Sequence, residues 1–128
     1  MEIANFTKSK VSERKLKKIA DKAAAFLDGK KLTDVSLVIV GEARMKNLNK
    51  RYRGKNSVTD VLSFEGLDEI VICLPQAAKQ AKAQKTPLNS ELTRLFVHGI
   101  VHLRHYDHKT LKEAKMMAAV EEKILNAL

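Results

Sequence analysis

All four histidines of this chain fall within eleven consecutive residues, His98 to His108, inside the stretch ELTRLFVHGIVHLRHYDH that begins at Glu91. His98 and His102 are four apart, so on a helix they point within about 40° of each other, one turn apart. Two imidazoles at that spacing can share a metal ion. His108 follows six residues later, and on a continuous helix it would lie about 15 Å from His98 along the axis. It joins the pair only if the helix stops and the chain turns back. His, three residues, His, five residues, His is thus a conditional zinc pattern of three neutral nitrogen ligands, with the fourth position left for water. Any fold that satisfies it must contain a helix followed at once by a reversal.

The same residues carry a plainer reading. Glu91, Arg94, His98, His102 and His105 fall at offsets of 0, 3, 7, 11 and 14. That spacing also describes the polar stripe of an amphipathic helix whose core face is Leu92, Leu95, Phe96, Gly99 and Leu103. The downstream sequence helps to choose, because Thr110 and Glu113 form a capping-box pattern for a last helix through Ala114, Ala118, Ile124 and Leu125. A new helix there makes His105 to Lys109 a connection and lets His108 return toward His98 and His102.

A chain of 128 residues, 45% hydrophobic, is expected to form one domain, residues 1–128, with a single core and no disulfides. The lone cysteine, Cys73, fits a reducing compartment and reads as a small buried strand residue. No apolar run approaches the ~20 residues needed to span a membrane, and the amino terminus lacks the apolar core of a signal peptide. A cytoplasmic location with no membrane partner is the expectation.

Charge is lopsided. Residues 1–55 carry 15 Lys and Arg against 6 Asp and Glu, and residues 56–128 carry 9 against 9, so the whole excess of +9 lies in the first 55 residues. Such a surface suits a polyanion such as nucleic acid, although solvated helix faces explain part of it. With no Trp and six aromatics, a broad stacking platform for bases is not expected. Affinity would come from phosphate contacts and fall with salt.

In chain order, Glu2 to Phe6 reads as a short edge strand, with Thr7 or Ser9 helping to start the next helix. Leu16, Ile19, Ala20, Ala23 and Leu27 recur at helical spacing, leaving Arg14, Lys15, Lys17, Lys18 and Lys22 outside. Val35 to Val40 reads as a largely buried strand, and Glu42 to about Arg51 as a helix with Met45 and Leu48 inward. A basic loop from Tyr52 to Ser57 and a strand from about Asp60 to Phe64 follow. A short turn through Glu65 to Asp68 joins that strand to Glu69–Cys73 as a hairpin. Pro75 opens a helix to about Lys85, and Asn89 or Ser90 caps the histidine helix. The fold class expected is α+β, a small mixed sheet of about four strands with about five packed helices and the metal site at the end of a central helix.

Leu48, Asn49, Tyr52, Arg53, Gly54, Lys55 and Thr59 to Phe64 resemble the central motif of the bacterial YbeY family, the rRNA maturation endoribonucleases. The histidine stretch resembles the same family's second motif, a His-Gly pair, then His-Leu, then Tyr-Asp-His. The resemblance covers about residues 42–125. Two departures stand out: Leu67, Asp68, Glu69, Ile70 replace the family's Leu-Gly-Asp-Ile, and His105 stands where the family has Gly. The resemblance implies a zinc-dependent, single-strand-directed endoribonuclease acting in small-subunit (16S) rRNA maturation and ribosome quality control. It implies one zinc ion, and as partners rRNA, the small ribosomal subunit and either ribosomal proteins or an assembly GTPase. The alternative is a zinc-stabilised RNA-binding assembly factor with little catalysis of its own.

The residues themselves add chemistry. A zinc peptidase would place a general-base Glu directly after the first histidine, and position 99 is Gly. Three neutral ligands leave the ion's double charge uncompensated, which favours an anionic phosphodiester and lowers the pKa of bound water toward about 7. Arg53 and His98 are the residues expected to carry catalysis. The Arg53 guanidinium suits a scissile phosphate, and the resemblance points to the same arginine. Its plain alternative is one more solvated cation. Arg51 and Lys55 are read with Arg53 as phosphate contacts, and Asp107 as a carboxylate that orients a ligand histidine or caps a turn. Asp60 and Ser63 are candidates to line the groove, with Leu62 and Phe64 as core.

Overall fold

The structure, a computed structural model, describes residues 1–27, 34–105 and 110–128. The element order is β1 (Glu2–Asn5), α1 (Glu13–Phe26), β2 (Ser36–Val40), α2 (Glu42–Arg53), β3 (Val61–Phe64), β4 (Glu69–Cys73), α3 (Leu74–Gln84), α4 (Leu88–His105) and α5 (Leu111–Ala127). A 3₁₀ turn, Glu65–Leu67, joins β3 to β4. The four strands form one mixed sheet in the order β1-β2-β4-β3, in which β1, β2 and β4 run parallel and β3 pairs antiparallel to β4. This is the α+β architecture expected, with five helices around a four-stranded sheet.

After Ser36 and Glu69 at their starts, the two central strands are apolar, because both of their faces are covered. On one face Leu37, Ile39, Ile70 and Ile72 pack with Leu16, Ala20 and Ala23 of α1 and with Leu95, Phe96 and Ile100 of α4. On the other, Val40, Val71 and Cys73 meet Leu62 and Met45 of α2. The period of two sorts alternate residues to opposite layers. Phe96 is fully buried at the centre of the larger layer, a burial that contributes about 2–3 kcal/mol. Helix α4 is the central helix, in contact with α1, α3, α5, β3 and β4.

Local chemistry moved several boundaries. Ser12, not Thr7 or Ser9, caps α1, its Oγ accepting from Lys15 N; Thr7 instead donates to the Asn5 side chain. Helix α4 starts at Leu88, with Ser90 N and Glu91 N donating to the Pro87 carbonyl, so Asn89 and Ser90 lie in the first turn rather than capping it. Thr110 does cap α5, its Oγ1 accepting from Glu113 N at 3.1 Å. The inward face of α5 is set by the larger side chains, Met117 and Ile124, and Ala118 is exposed. Helix α2 runs on through Tyr52 and Arg53, taking them out of the expected loop, because Gly54 supplies the left-handed cap only then, at φ 69°.

At the hairpin, Asp68 takes the left-handed conformation, φ 47°, at the position where the resemblance places Gly. Short polar residues tolerate that region better than most, which is how the turn survives the substitution. Among the described residues the other non-glycine with positive φ is Lys85, which ends α3. His105 is the last residue of α4.

Candidate functional site

The end of α2 fixes the backbone that carries the exposed Arg53. Gly54 N donates to Lys50 O at 3.0 Å and Lys55 N to Asn49 O at 3.3 Å, a double closure that ends the helix and turns the chain sharply after Arg53. Buried Asn49 reaches back with Nδ2 to Ser57 O at 2.9 Å, pinning the loop between them. Tyr52 packs edge-on against Phe64 of β3, ring centroids 5.2 Å apart, so this last turn is fastened to the edge strand of the sheet. Lys50, Arg51 and Arg53 also complement the negative end of the helix dipole, which accounts for a share of the local positive charge.

Helix α4 comes to the same edge from the other side. It lies so close to β4 that a Cβ at Gly99 would stand 2.8 Å from Ile70 Cγ2. Ser63 Oγ of β3 donates to the Gly99 carbonyl at 3.4 Å. This approach carries His98 and His102 to the β3 edge, where they line a cavity of about 280 Å³ together with Arg53, Val61, Leu62 and Ser63. The two imidazoles are parallel, 5° apart in plane, and their centroids are 6.4 Å apart, a separation close to one helical turn.

Helix α5 packs back on α4, and Glu121 Oε1 lies 2.6 Å from His98 Nδ1. Thr110, extended at φ −124° and ψ 154°, opens α5 as a separate helix. Glu121 was not legible as a site residue in the motif; its signal is an acid set between Met117 and Ile124 on an apolar stripe. The core face opposite the polar stripe is buried at Leu92, Leu95, Phe96 and Gly99, and the stripe departs from expectation at Glu91, which is 2% exposed and paired with Arg94 Nε at 2.5 Å.

Of the expected residues, the structure brings Arg53, His98 and His102 together, with Ser63 beside them. Arg51 and Lys55 are exposed and outside the residues lining the cavity; the Arg51 guanidinium lies 5.7 Å from the Tyr52 ring centre. Asp60 is structural instead, accepting from Val61 N and Gln80 Nε2. His108 and Asp107 lie outside the described residues, and among the described residues no three His, Cys, Asp or Glu side chains come together as a metal site. The donor set present fits a zinc-type ion as far as it goes: two imidazoles opening on one cavity, one of them with its Nδ1 against a carboxylate. A larger groove of about 700 Å³ runs along β1, past Phe6, Lys17 and Arg44, and is lined by none of Arg51, Arg53, Lys55, His98 and His102.

Cys73 is buried in β4, and burial pushes its thiol pKa up, partly offset by a backbone hydrogen bond from Gln76. It is a core residue, as expected. No described helix is long and apolar enough to cross a membrane.

Fold and cavity define a class: an α+β domain in which a helix-borne histidine pair faces an arginine across the edge of the sheet. Comparison with known proteins gives the class its family. The profile described as endoribonuclease YbeY matches residues 2–128. Endoribonuclease YbeY of Thermodesulfovibrio yellowstonii is 42% identical over 127 aligned positions, covering 91% of this chain and 76% of that one. Its counterpart from a Sulfurihydrogenibium species is 36% identical over 129, covering 92% and 84%. The solution structure of TM1509 from Thermotoga maritima superposes with a TM-score of 0.64 at 28% identity, over 98% of this chain and 87% of the other. The chain belongs to the YbeY endoribonuclease family.

Proposed function

We propose that this chain is a zinc-dependent, single-strand-directed endoribonuclease acting in maturation of the 16S rRNA of the small ribosomal subunit and in ribosome quality control. The observation that carries the reading is the convergence of Arg53 with His98 and His102 on one cavity. An arginine fork beside two imidazole ligands is the equipment of a phosphodiester site, and the homologues named endoribonucleases supply the substrate class.

In this account His98, His102 and His108 hold one zinc ion, with Asp107 a candidate to orient one of them. When bound, the ion supplies Lewis acidity toward a phosphoryl oxygen and acidifies water toward a pKa of about 7. Arg53 grips the scissile phosphate in bidentate fashion and balances the charge that builds on it. Its backbone at the last residue of α2 is fixed by the Gly54 cap and the Asn49 clasp, and its side chain lines the cavity. Arg51 and Lys55, exposed on either side of Arg53 in sequence, bind neighbouring phosphates. Ribosomal proteins or an assembly GTPase are further partners in this account, and the place of action is the cytoplasm.

Metal analysis after tag-free purification tests the site. The expected result is close to one zinc per chain, lost in His98→Ala, His102→Ala and His108→Ala; full metal retention in these variants overturns it.

A further inference from the structure

Along α5 the inward positions run Met117, Glu121 and Ile124, and Met117 and Ile124 are fully buried. A carboxylate on such a stripe is costly unless it is partnered. Glu121 meets that cost across the helix interface: its Oε1 lies 2.6 Å from His98 Nδ1, with the carboxylate side chain 20% exposed and the imidazole 36%. The length is that of a charge-assisted bond. An ionised carboxylate only accepts, so Nδ1 must carry the proton, and in the neutral ring the lone pair is left on Nε2.

We infer that Glu121 is a positioning residue for His98, holding it in the Nδ1–H tautomer and in one ring orientation so that Nε2 is its ligating atom. The sequence supports a dedicated pairing. Glu121 is 23 residues from His98, on a different helix, and it lies between two buried core residues, Met117 and Ile124. A histidine that switched tautomers would offer its lone pair at either nitrogen; the carboxylate removes that choice before any ion arrives. The consequence for metal rests on the proposed zinc site, whereas the tautomer does not.

The experiment therefore has two arms. Nitrogen-15 NMR of the imidazoles in the metal-free protein reads the tautomer, and competition with a chromophoric chelator reads the affinity for Zn²⁺. In wild type His98 is expected as Nδ1–H. In Glu121→Ala it shifts toward Nε2–H, and zinc affinity falls roughly 10- to 100-fold. Glu121→Gln, which keeps an acceptor oxygen, retains the tautomer and most of the affinity, an outcome that a purely structural role for the charge does not give. An Nε2–H ring in the wild type, or unchanged zinc affinity in a folded Glu121→Ala, overturns the inference. If the Ala variant does not fold, the wild-type tautomer and the Gln variant decide. If the wild type takes up no zinc, the metal site falls, and the tautomer arm alone still upholds or overturns the positioning of His98.

Discussion

Gly99 and Ile70 are in such close apposition that a β-carbon at position 99 would meet the Ile70 side chain at 2.8, 3.1 and 3.2 Å. The residue after the first histidine is therefore small because α4 must lie on β4, not merely because a peptidase base is absent. Ile70 is fully buried and has little room to yield. Gly99→Ala should cost about 1–3 kcal/mol, the usual cost of overpacking, despite the better helix propensity of Ala. Urea unfolding measures it; an Ala variant as stable as wild type would show that the two elements part at no cost.

The non-glycine residues Asp68 and Lys85 both sit at positive φ. Replacing either by Gly relieves the clash of Cβ with its own backbone. A gain of roughly 0.5–1 kcal/mol is expected, larger for Lys85→Gly because Asp tolerates the region better. The check is a rise in the midpoint of thermal unfolding, with the order of the two variants as the finer test.

Asn49 holds the loop after Arg53 with its buried amide, through Nδ2 to Ser57 O. Asn49→Ala leaves that carbonyl without its partner and should cost about 1–3 kcal/mol. RNA cleavage should fall further than the stability loss explains, because the backbone turn that carries Arg53 loses its clasp. Cleavage per folded molecule equal to wild type would place the clasp outside the catalytic geometry.

Cys73 gives a pH dependence with a definite sign. Its pKa is raised in the folded state, so below the unfolded thiol's value of about 8.5 both states are protonated and the contribution is constant. Above it the unfolded chain releases its proton first, and stability falls as pH rises. Wild type should therefore lose stability relative to Cys73→Ala on going from about pH 8 to pH 10, and its thiol should react slowly with iodoacetamide until the protein unfolds. A fast native reaction at neutral pH contradicts this.

Much of this fold was legible because its signals are local. The apolar runs through Leu37 and Ile72, Pro75 at the start of α3 and the Thr110 cap each follow from a few neighbouring residues. What was not legible depends on contacts between distant segments. Arg53 reads as loop until Gly54 is known to cap one residue later, and Ser12 wins over Thr7 because Asn5 captures the Thr7 hydroxyl. The meeting of Arg53 with the histidine pair needs β3 at the sheet edge, an order that no local pattern states. Glu121 is the plainest case: its partner is 23 residues away, and only the packing of α5 on α4 shows why an acid belongs on that stripe.

The central claim is that Arg53 and the histidine pair form one cutting site for RNA. Its most direct test is cleavage of single-stranded RNA by the zinc-loaded protein, with binding to the same RNA measured in parallel. Wild type should cut, and chelator should abolish cutting. Arg53→Ala should lower the rate by about 10²–10³, the scale of losing one transition-state donor, while RNA binding largely survives. A wild-type protein that binds RNA yet does not cut it under any metal condition, or an Arg53→Ala variant that cuts as fast as wild type, would contradict the account.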